Sequence, residues 1–384
     1  MTADIQNAAL PPLTAPIGPR PVVERTSYGM LIWRRFLRHR LGVLGGIITV
    51  AIYVVALFCE ILAPTDPEAI SPRALYTPPQ MLRLVSTAED GSIRVHPHVL
   101  GYTSSVDYNS GQRSYEPDPD KVIELGFFVE GTPYKLWGLI PWDRHFIGTV
   151  DPREQVFFFG TDRLGRDVFS RTIYASRVSM TIGLIGVTLS LVLGIIIGGA
   201  SGYFGGWVDV AIQRVIEFLQ SLPSIPLWIG LAAAIPASMS PIHTYFLITV
   251  ILSILGWTGL ARIVRGKFMA LKNEEYVIAA RLDGCRPPRI ILRHMVPNFL
   301  SHIIAVVTLA IPGMIIAETS LSFLGIGLRQ PVVSWGVLLQ EAQNLRSIAA
   351  APWLFAPGGA VVIAVLALNF FGDGLRDAGD PYAK

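Results

Sequence analysis

Glu318 stands inside the apolar run 299–324, where a carboxylate is costly to bury and is functional by default. It falls 16 residues beyond His302, about 24 Å along a helix. It therefore reads either as a carboxylate at the mouth of a translocation path or as a cap holding the segment that follows. Glu217 lies three residues after Arg214, so it either faces the same path or pairs with that arginine. His243, His294 and His302 are scattered and lack the spacing of a metal site. Cys59 sits in an apolar run and Cys285 in a basic one. A bridge between them is implausible, and two cysteines alone hold no zinc. There is no GxxxxGKS/T phosphate loop, because Gly266-Lys267 is followed by Phe268 and the residue five before Gly266 is Ala261. Neither HExxH nor GxSxG occurs. The expectation is no catalytic, cofactor or metal site in this chain, so energy for any work comes from another chain or from an ion gradient.

The elements holding these residues follow from composition. Of 384 residues, 51% are hydrophobic and 15% charged, against about 25% charged in an ordinary soluble domain. That balance excludes a disordered chain, a collagen-like fibre and a disulfide scaffold, and speaks against a soluble enzyme. The 36 glycines and 28 prolines suit helices that cross a membrane. A net charge of +3 is too small to argue for nucleic acid. A span needs about 20 apolar residues, and six candidates stand at 41–63, 178–203, about 210–236, about 243–261, about 299–324 and about 353–372. Pro223 and Pro226 are expected to kink the third. The fold class is an all-α polytopic membrane protein with six transmembrane helices. The first run, Leu41 to Leu62, is too long for a signal-peptide core and reads as an uncleaved span.

Lysine and arginine orient the bundle. Residues 1–40 hold six arginines, the stretch 262–293 holds eight basic residues, and the segment between spans five and six holds only Arg329 and Arg346. Six spans then put the N-terminal segment 1–40, the loop 262–298 and the C-terminus in the cytoplasm. Residues 27–40 mix aromatics with arginines, as an interfacial helix or as the basic flank of the first span. The loop 64–177 carries 12 Lys+Arg against 15 Asp+Glu. It is predicted to be a small, partly β extracytoplasmic domain inserted between helices 1 and 2. A hairpin is expected there from 121–129 and 134–137, turning at 130–133. Asp162 is expected to cap an amphipathic helix through Ser170, with Arg166 and Arg171 toward headgroups or acidic neighbours. In span two, Gly194, Gly198 and Gly202 share one helix face, for close packing on a partner subunit or within the chain. The remaining 178–384 form the transmembrane core of five helices.

The loop 262–298 is the most informative stretch. Asn273 is a good N-cap, and Glu274 and Glu275 favour the positive end of a helix dipole. Gly284 suits the residue just past a helix end, and Pro287 or Pro288 can open a second helix. The prediction is a short helix at about 274–283, a tight turn and another helix. Such a rigid element can push on a partner.

Ala279, Ala280, Gly284 and Pro297 resemble the Glu-Ala-Ala loop of ABC importer permeases, with Ile278 at the Glu position, His294 at the Ile position and Val296 at the Leu position. The stretches 159–171, 202–209, 317–325, 334–336 and 372–381 resemble the dipeptide, oligopeptide and nickel permeases of that family, in particular their second, C-type permease. The resemblance covers roughly 27–63 and 157–384. It implies the type I ABC importer permease fold. It also implies an importer assembled with a second permease, two ATP-binding subunits that hold ATP and Mg, and an extracytoplasmic solute-binding protein in a bacterial cytoplasmic membrane. Glu275, Ala279, Ala280, Gly284 and Pro297 would then couple to an ATPase, the small side chains of Ala279 and Ala280 entering a groove on it, while Glu318 and Glu217 are the candidates for the translocation path. Peptides are the expected cargo, with oligosaccharides, opines or nickel chelates as alternatives. A gradient-driven secondary transporter would instead favour an inverted repeat and midplane carboxylates, and neither is evident.

Overall fold

The computed structural model describes residues 28–87, 93–106, 113–236, 238–344, 349 and 351–379. Arg20, Arg25, Arg346 and the end of the 372–381 stretch lie outside the described residues.

Among the described residues five helices are long and apolar enough to cross a membrane, and there is a sixth span only if one bent pair is counted as one. A short amphipathic helix α1 (Tyr28–Phe36) precedes α2 (Arg40–Leu57), whose first turn His39 caps by accepting the Gly42 N–H at 2.8 Å. The chain breaks at Phe58 and continues as α3 (Cys59–Leu62). After the inserted sheet come α4 (Val168–Phe204), α5 (Gly206–Ser221), α6 (Ser224–Ala233) and α7 (Pro241–Leu271). The coupling segment holds α8 (Glu275–Leu282) and α9 (Pro287–Arg289), a wide π turn at Ile290–Met295 and a 3-10 turn at Val296–Phe299. Among the described residues there follow α10 (Leu300–Phe323), α11 (Trp335–Glu341) and α12 (Ala356–Gly379).

The helices differ from the sequence expectation at their ends. α4 starts ten residues before 178, because Asp167 caps it by accepting the Phe169 and Ser170 N–H groups at 3.2 and 2.8 Å. Asp162 is therefore not the cap; it opens a turn, its carbonyl accepting the Gly165 N–H, and binds arginines. α7 runs on through Arg262, Arg265 and Lys267, so the first ten residues of the expected loop are helical. The third span is bent by 85° between α5 and α6. The break falls at Pro223, whereas Pro226 sits in the first turn of α6, where a missing N–H costs nothing.

The bundle core forms where α4, α7, α10 and α12 meet, around Met180, Ile182, Val187, Ile248, Leu252, Ile315 and Leu368, with Trp335 of α11 set into it. The glycines of α4 make the α4–α7 seam. A Cβ on Gly194 would stand 2.8 Å from the Leu260 Cβ, and one on Gly202 would stand 2.6 Å from the Phe268 Cβ. The three-glycine face is thus used within the chain. α2 crosses α12 equally closely, Gly45 lying against Phe370 and Gly42 against Gly374.

Between α3 and α4 the chain forms four antiparallel strands in the order β1-β2-β3-β4: β1 (Arg83–Thr87), β2 (Ile93–Val106), β3 (Arg113–Leu136) and β4 (Ile140–Thr149). Val99, Ile123, Leu125 and Val156 form its small core. Residues 130–133 are not a turn, contrary to the sequence expectation. They are a register irregularity inside one long β3, and the true turn is at Trp137–Leu139. The sheet is bonded to the bundle. His145 bridges the Ala63 carbonyl at 2.5 Å and the Thr132 carbonyl at 3.1 Å, and the Arg177 guanidinium of α4 grips Glu60 at 2.6 Å through both terminal nitrogens.

Candidate functional site

The 37 residues of α4 rise about 55 Å, so its two ends mark opposite ends of the molecule. The sheet packs at the N-terminal end. At the other end α4 meets α5, the basic half of α7 and α8.

α8 is held by one face. Val277 and Ala280 are buried among Val264 and Phe268 of α7, Ile290 and Met295 of the π turn, and Phe299 and Ile303. Its end is closed by two crossed bonds: the Cys285 N–H donates to the Ala280 carbonyl at 3.1 Å and the Gly284 N–H to the Arg281 carbonyl at 3.0 Å. This pattern needs a residue at positive φ, which Gly284 supplies at +73°. The Arg281 guanidinium lies 4.8 Å over the Tyr203 ring of α4, a cation–π contact. Asn298 donates to the Tyr276 hydroxyl at 2.8 Å and ties α8 to the start of α10.

Three expectations for this segment change. Asn273 is not the N-cap; Glu274 occupies that position and makes no side-chain cap bond. Ala280 does not offer a small surface to a partner, because at 5% exposure it fills this chain's own core. Ala279 and Glu275 are exposed, together with Ile278 and, at 83% exposure, Leu282. The outward face of α8 therefore carries bulky apolar Ile278 and Leu282 beside Glu275 and Ala279 rather than small side chains alone. Pro297 is exposed in the 3-10 turn before α10, where it can start a helix but not continue one. Gly284 and Pro287 stand as expected, one ending α8 and the other opening α9.

A connection that sequence reasoning missed joins this end together. Asp209 of α5 accepts two bonds from Arg265 of α7, at 2.5 and 2.6 Å, and one from Ser201 of α4 at 2.5 Å. The signal was present, since Asp209 closes the quoted 202–209 stretch and Arg265 belongs to the basic run. Their pairing is tertiary and leaves no spacing to read.

The candidate path residues are placed apart. Glu318 is 0% exposed. It accepts hydrogen bonds from Ser334 at 2.7 Å, Ser322 at 2.8 Å and Ser179 at 3.3 Å, and so joins α10, α11 and α4. In this conformation it opens onto no path; Ser334 in turn caps α11 by accepting the Val337 N–H at 3.2 Å. Glu217 is on the surface of α5, paired with Arg214 at 2.7 Å.

At the sheet-bearing end, Asp162 accepts from Arg166 Nε at 2.7 Å and Arg171 Nη1 at 3.2 Å, and Arg166 reaches Glu341 of α11 at 2.7 Å. The two arginines thus take the acidic-neighbour alternative. Burial pushes the Glu341 carboxyl above its ordinary value, nearby Asp162 adds to that, and Arg171 and Arg166 pull it back.

A bundle of long apolar helices knitted at one end by buried ion pairs, with a short helix packed across the other, defines a membrane-spanning subunit. The chain belongs to the family of binding-protein-dependent transport system inner membrane components, whose model matches residues 190–383. Residues 27–79 match the N-terminal transmembrane domain of oligopeptide transport permease C. Among curated relatives, the oligopeptide transport system permease protein OppC of Bacillus subtilis is 39% identical over 231 residues, 60% of this chain and 73% of that protein. The dipeptide transport system permease protein DppC of Bacillus subtilis is 41% identical over 226 residues, 58% of this chain and 68% of that protein. A solved chain titled "Inward facing conformations of the MetNI methionine ABC transporter: CY5 native crystal form" aligns over 55% of this chain and 97% of its own, at 16% identity and a TM-score of 0.41, too distant to add to the assignment. The chain is a membrane-spanning permease and a transport subunit rather than an enzyme.

Proposed function

We propose that this chain is the C-type permease of an ATP-driven peptide importer in a bacterial cytoplasmic membrane. It pairs with a second permease, is driven by two ATP-binding subunits that carry ATP and Mg, and is fed by an extracytoplasmic solute-binding protein. The observation that carries the reading is α8: a helix locked to its own bundle on one face, bare on the other with Ile278 and Leu282 exposed, at the molecule's most basic end. The substrate class is taken from the relatives, which are named as oligopeptide and dipeptide permeases.

Mechanically, α8 is the handle. Val277 and Ala280 key it to α7 and α10, and the glycine seam and the Asp209–Arg265 pair key α7 to α4 and α5. A push delivered on Ile278 and Leu282 is thus passed to several spans together rather than absorbed by a loop. The basic residues around α8 support a cytoplasmic position for that end and for both termini, with the sheet outside. Glu318 holds the half-helix α11 in register with α4 and α10 during the movement.

The test is co-purification. With Leu282→Asp, the chain should accumulate in the membrane at wild-type level but lose its ATP-binding subunits on detergent extraction, and peptide uptake should fall with them. Retention of both by this variant and by Ile278→Asp would sink the assignment of α8. Orientation is read separately: Cys285, partly exposed beside Gly284, should react with an impermeant thiol reagent only when the cytoplasmic side is open.

A further inference from the structure

The sheet lies between the two matched stretches, 27–79 and 190–383, so the family description says nothing of it. Its longest hairpin ends beside the first membrane helix. α2 has 18 residues from Arg40 to Leu57, about 27 Å at 1.5 Å per residue, against about 30 Å of hydrocarbon. With Arg40 at one boundary, Leu57 stands at the other. The Trp137 indole donates to the Leu57 carbonyl at 2.8 Å, and the Trp137 backbone N–H donates to Glu60 at 3.2 Å. The Trp137 ring lies 5.9 Å from that of Phe58. The β3–β4 turn is therefore fixed at the depth where hydrocarbon ends.

What the turn presents there is apolar and uncovered. Leu139 is 79% exposed and Trp142 50%, with Ile140 beside them. Lys135 pairs with Pro141 one step back from the tip and is exposed. Trp137 and Gly138 both take positive φ, +52° and +73°. That conformation is rare for a bulky side chain, and such strain is kept where a side chain must be aimed. On α2, exposed Leu44, Ile47, Val50, Val54 and Leu57 recur every three or four residues and form a stripe that ends at this tip. A tryptophan-rich tip with a lysine behind it has the composition of the belt at a membrane boundary, where aromatic rings sit at headgroup level.

We propose that the β3–β4 tip is a lipid anchor: Leu139, Ile140 and Trp142 insert at the headgroup–acyl boundary beside Trp137, and Lys135 meets the lipid phosphates. The anchor continues the lipid-facing stripe of α2 and holds the sheet at a fixed tilt over the bundle. It requires only that α2 spans the bilayer and is independent of what is transported.

The test places a polarity-sensitive fluorophore at Leu139→Cys in a Cys285→Ser background, Cys59 being wholly buried. The assembled transporter is reconstituted in phosphatidylethanolamine/phosphatidylglycerol nanodiscs. Ser104→Cys, exposed on β2, is the control. Lipid bearing a nitroxide near the headgroup should quench the label at 139 at least threefold more than the label at 104, and aqueous iodide should show the reverse order. Iodide quenching at 139 equal to that at 104 would overturn the proposal. Protection of the 139 label from both quenchers would overturn it too, because protein, such as the second permease, would then cover the tip.

Discussion

Ala279 and Ala280 are neighbours in the chain but lie on different sides of the boundary of α8's packed face: Ala280 is packed against the core around Ile290 and Met295, and Ala279 is open. The pair therefore separates two effects that a substitution in this loop could have. Ala280→Trp overpacks a closed core, at a cost typically about 1–3 kcal/mol, so the purified chain alone should melt at lower temperature. Ala279→Trp should leave that melting point unchanged and weaken only the attachment of the ATP-binding subunits. Thermal unfolding in detergent with and without those subunits distinguishes the two. Equal melting for both variants would contradict the burial of Ala280.

Gly284 has nothing within 4 Å of where a Cβ would stand, yet its φ is +73°. Sterics within the residue, not crowding, should then rank its substitutions. Asn tolerates the left-handed region, Ala pays about 1 kcal/mol, and Val pays more. Uptake at matched membrane levels should follow Gly, Asn, Ala, Val in falling order. Loss of function in Asn as complete as in Val would mean that a partner contact, and not the backbone, selects glycine here.

The α4–α7 seam makes a sharper contrast. A Cβ at Gly202 would lie 2.7 Å from the Arg265 carbonyl, which cannot move aside as a side-chain tip can, whereas Gly259 on α7 has open space. Gly202→Val should reduce accumulation of the chain in the membrane severalfold, and Gly259→Ala should not. Immunoblots of membrane fractions suffice to check both.

Much of this was legible in the sequence. Long apolar runs must be buried in lipid or protein, so the spans were found. Gly284 was found because glycine suits that cap best. What was missed is tertiary. The start of α4 at 168 rather than 178 is the exception, a local cap in which Asp167 accepts the Phe169 and Ser170 N–H groups, although its bond from Thr65, 102 residues away, is tertiary. The burial of Ala280 depends on Phe268 and Ile290, which no local period reveals. The turn expected at 130–133 failed because Gly131 and Pro133 are as compatible with a bulged strand as with a turn. Glu318 was noticed as an intramembrane carboxylate, but its three serine donors come from three separate elements.

Asp167 supplies a pH test. Burial pushes its carboxyl up to about 6, against the opposing pull of its Ser170, Phe169 and Thr65 donors. The rise from an ordinary 3.8 is about two units, on the order of 3 kcal/mol. A folded-state value above the unfolded one means that the folded chain keeps its proton longer. This residue's contribution to stability therefore falls as pH rises from about 4 to about 6 and stays low above that. Asp167→Asn keeps the capping oxygen without the charge. It should melt above wild type at pH 7.5, with the gap closing toward pH 4.5, while Asp167→Ala should lie below Asp167→Asn by the lost cap, about 1 kcal/mol, at both. An Asn variant less stable than wild type at pH 7.5 would show that the ionised form is the favoured one.

The Asp209–Arg265 pair links α5 to α7 through two parallel bonds, and Ser201 of α4 donates to the same carboxylate. Removing one partner leaves the other charge partly buried and unmatched, with side-chain exposures of 14% for Asp209 and 30% for Arg265. Hydrogen bonds to charged groups contribute about 1.5–3 kcal/mol, so either alanine variant alone should lose an amount of this order. The double variant has no stranded charge. It should therefore cost clearly less than the sum of the singles, the non-additivity expected of residues in contact. Because the pair lies between α8 and the bent α5–α6 segment, peptide-stimulated ATP hydrolysis in the assembled transporter should fall in both singles while basal hydrolysis by the attached ATP-binding subunits persists. The double-mutant cycle on melting temperature and on stimulated hydrolysis checks both. Strict additivity in melting would remove the pair as a structural link, and wild-type stimulation in the singles would remove it from the route by which α8 moves the bundle.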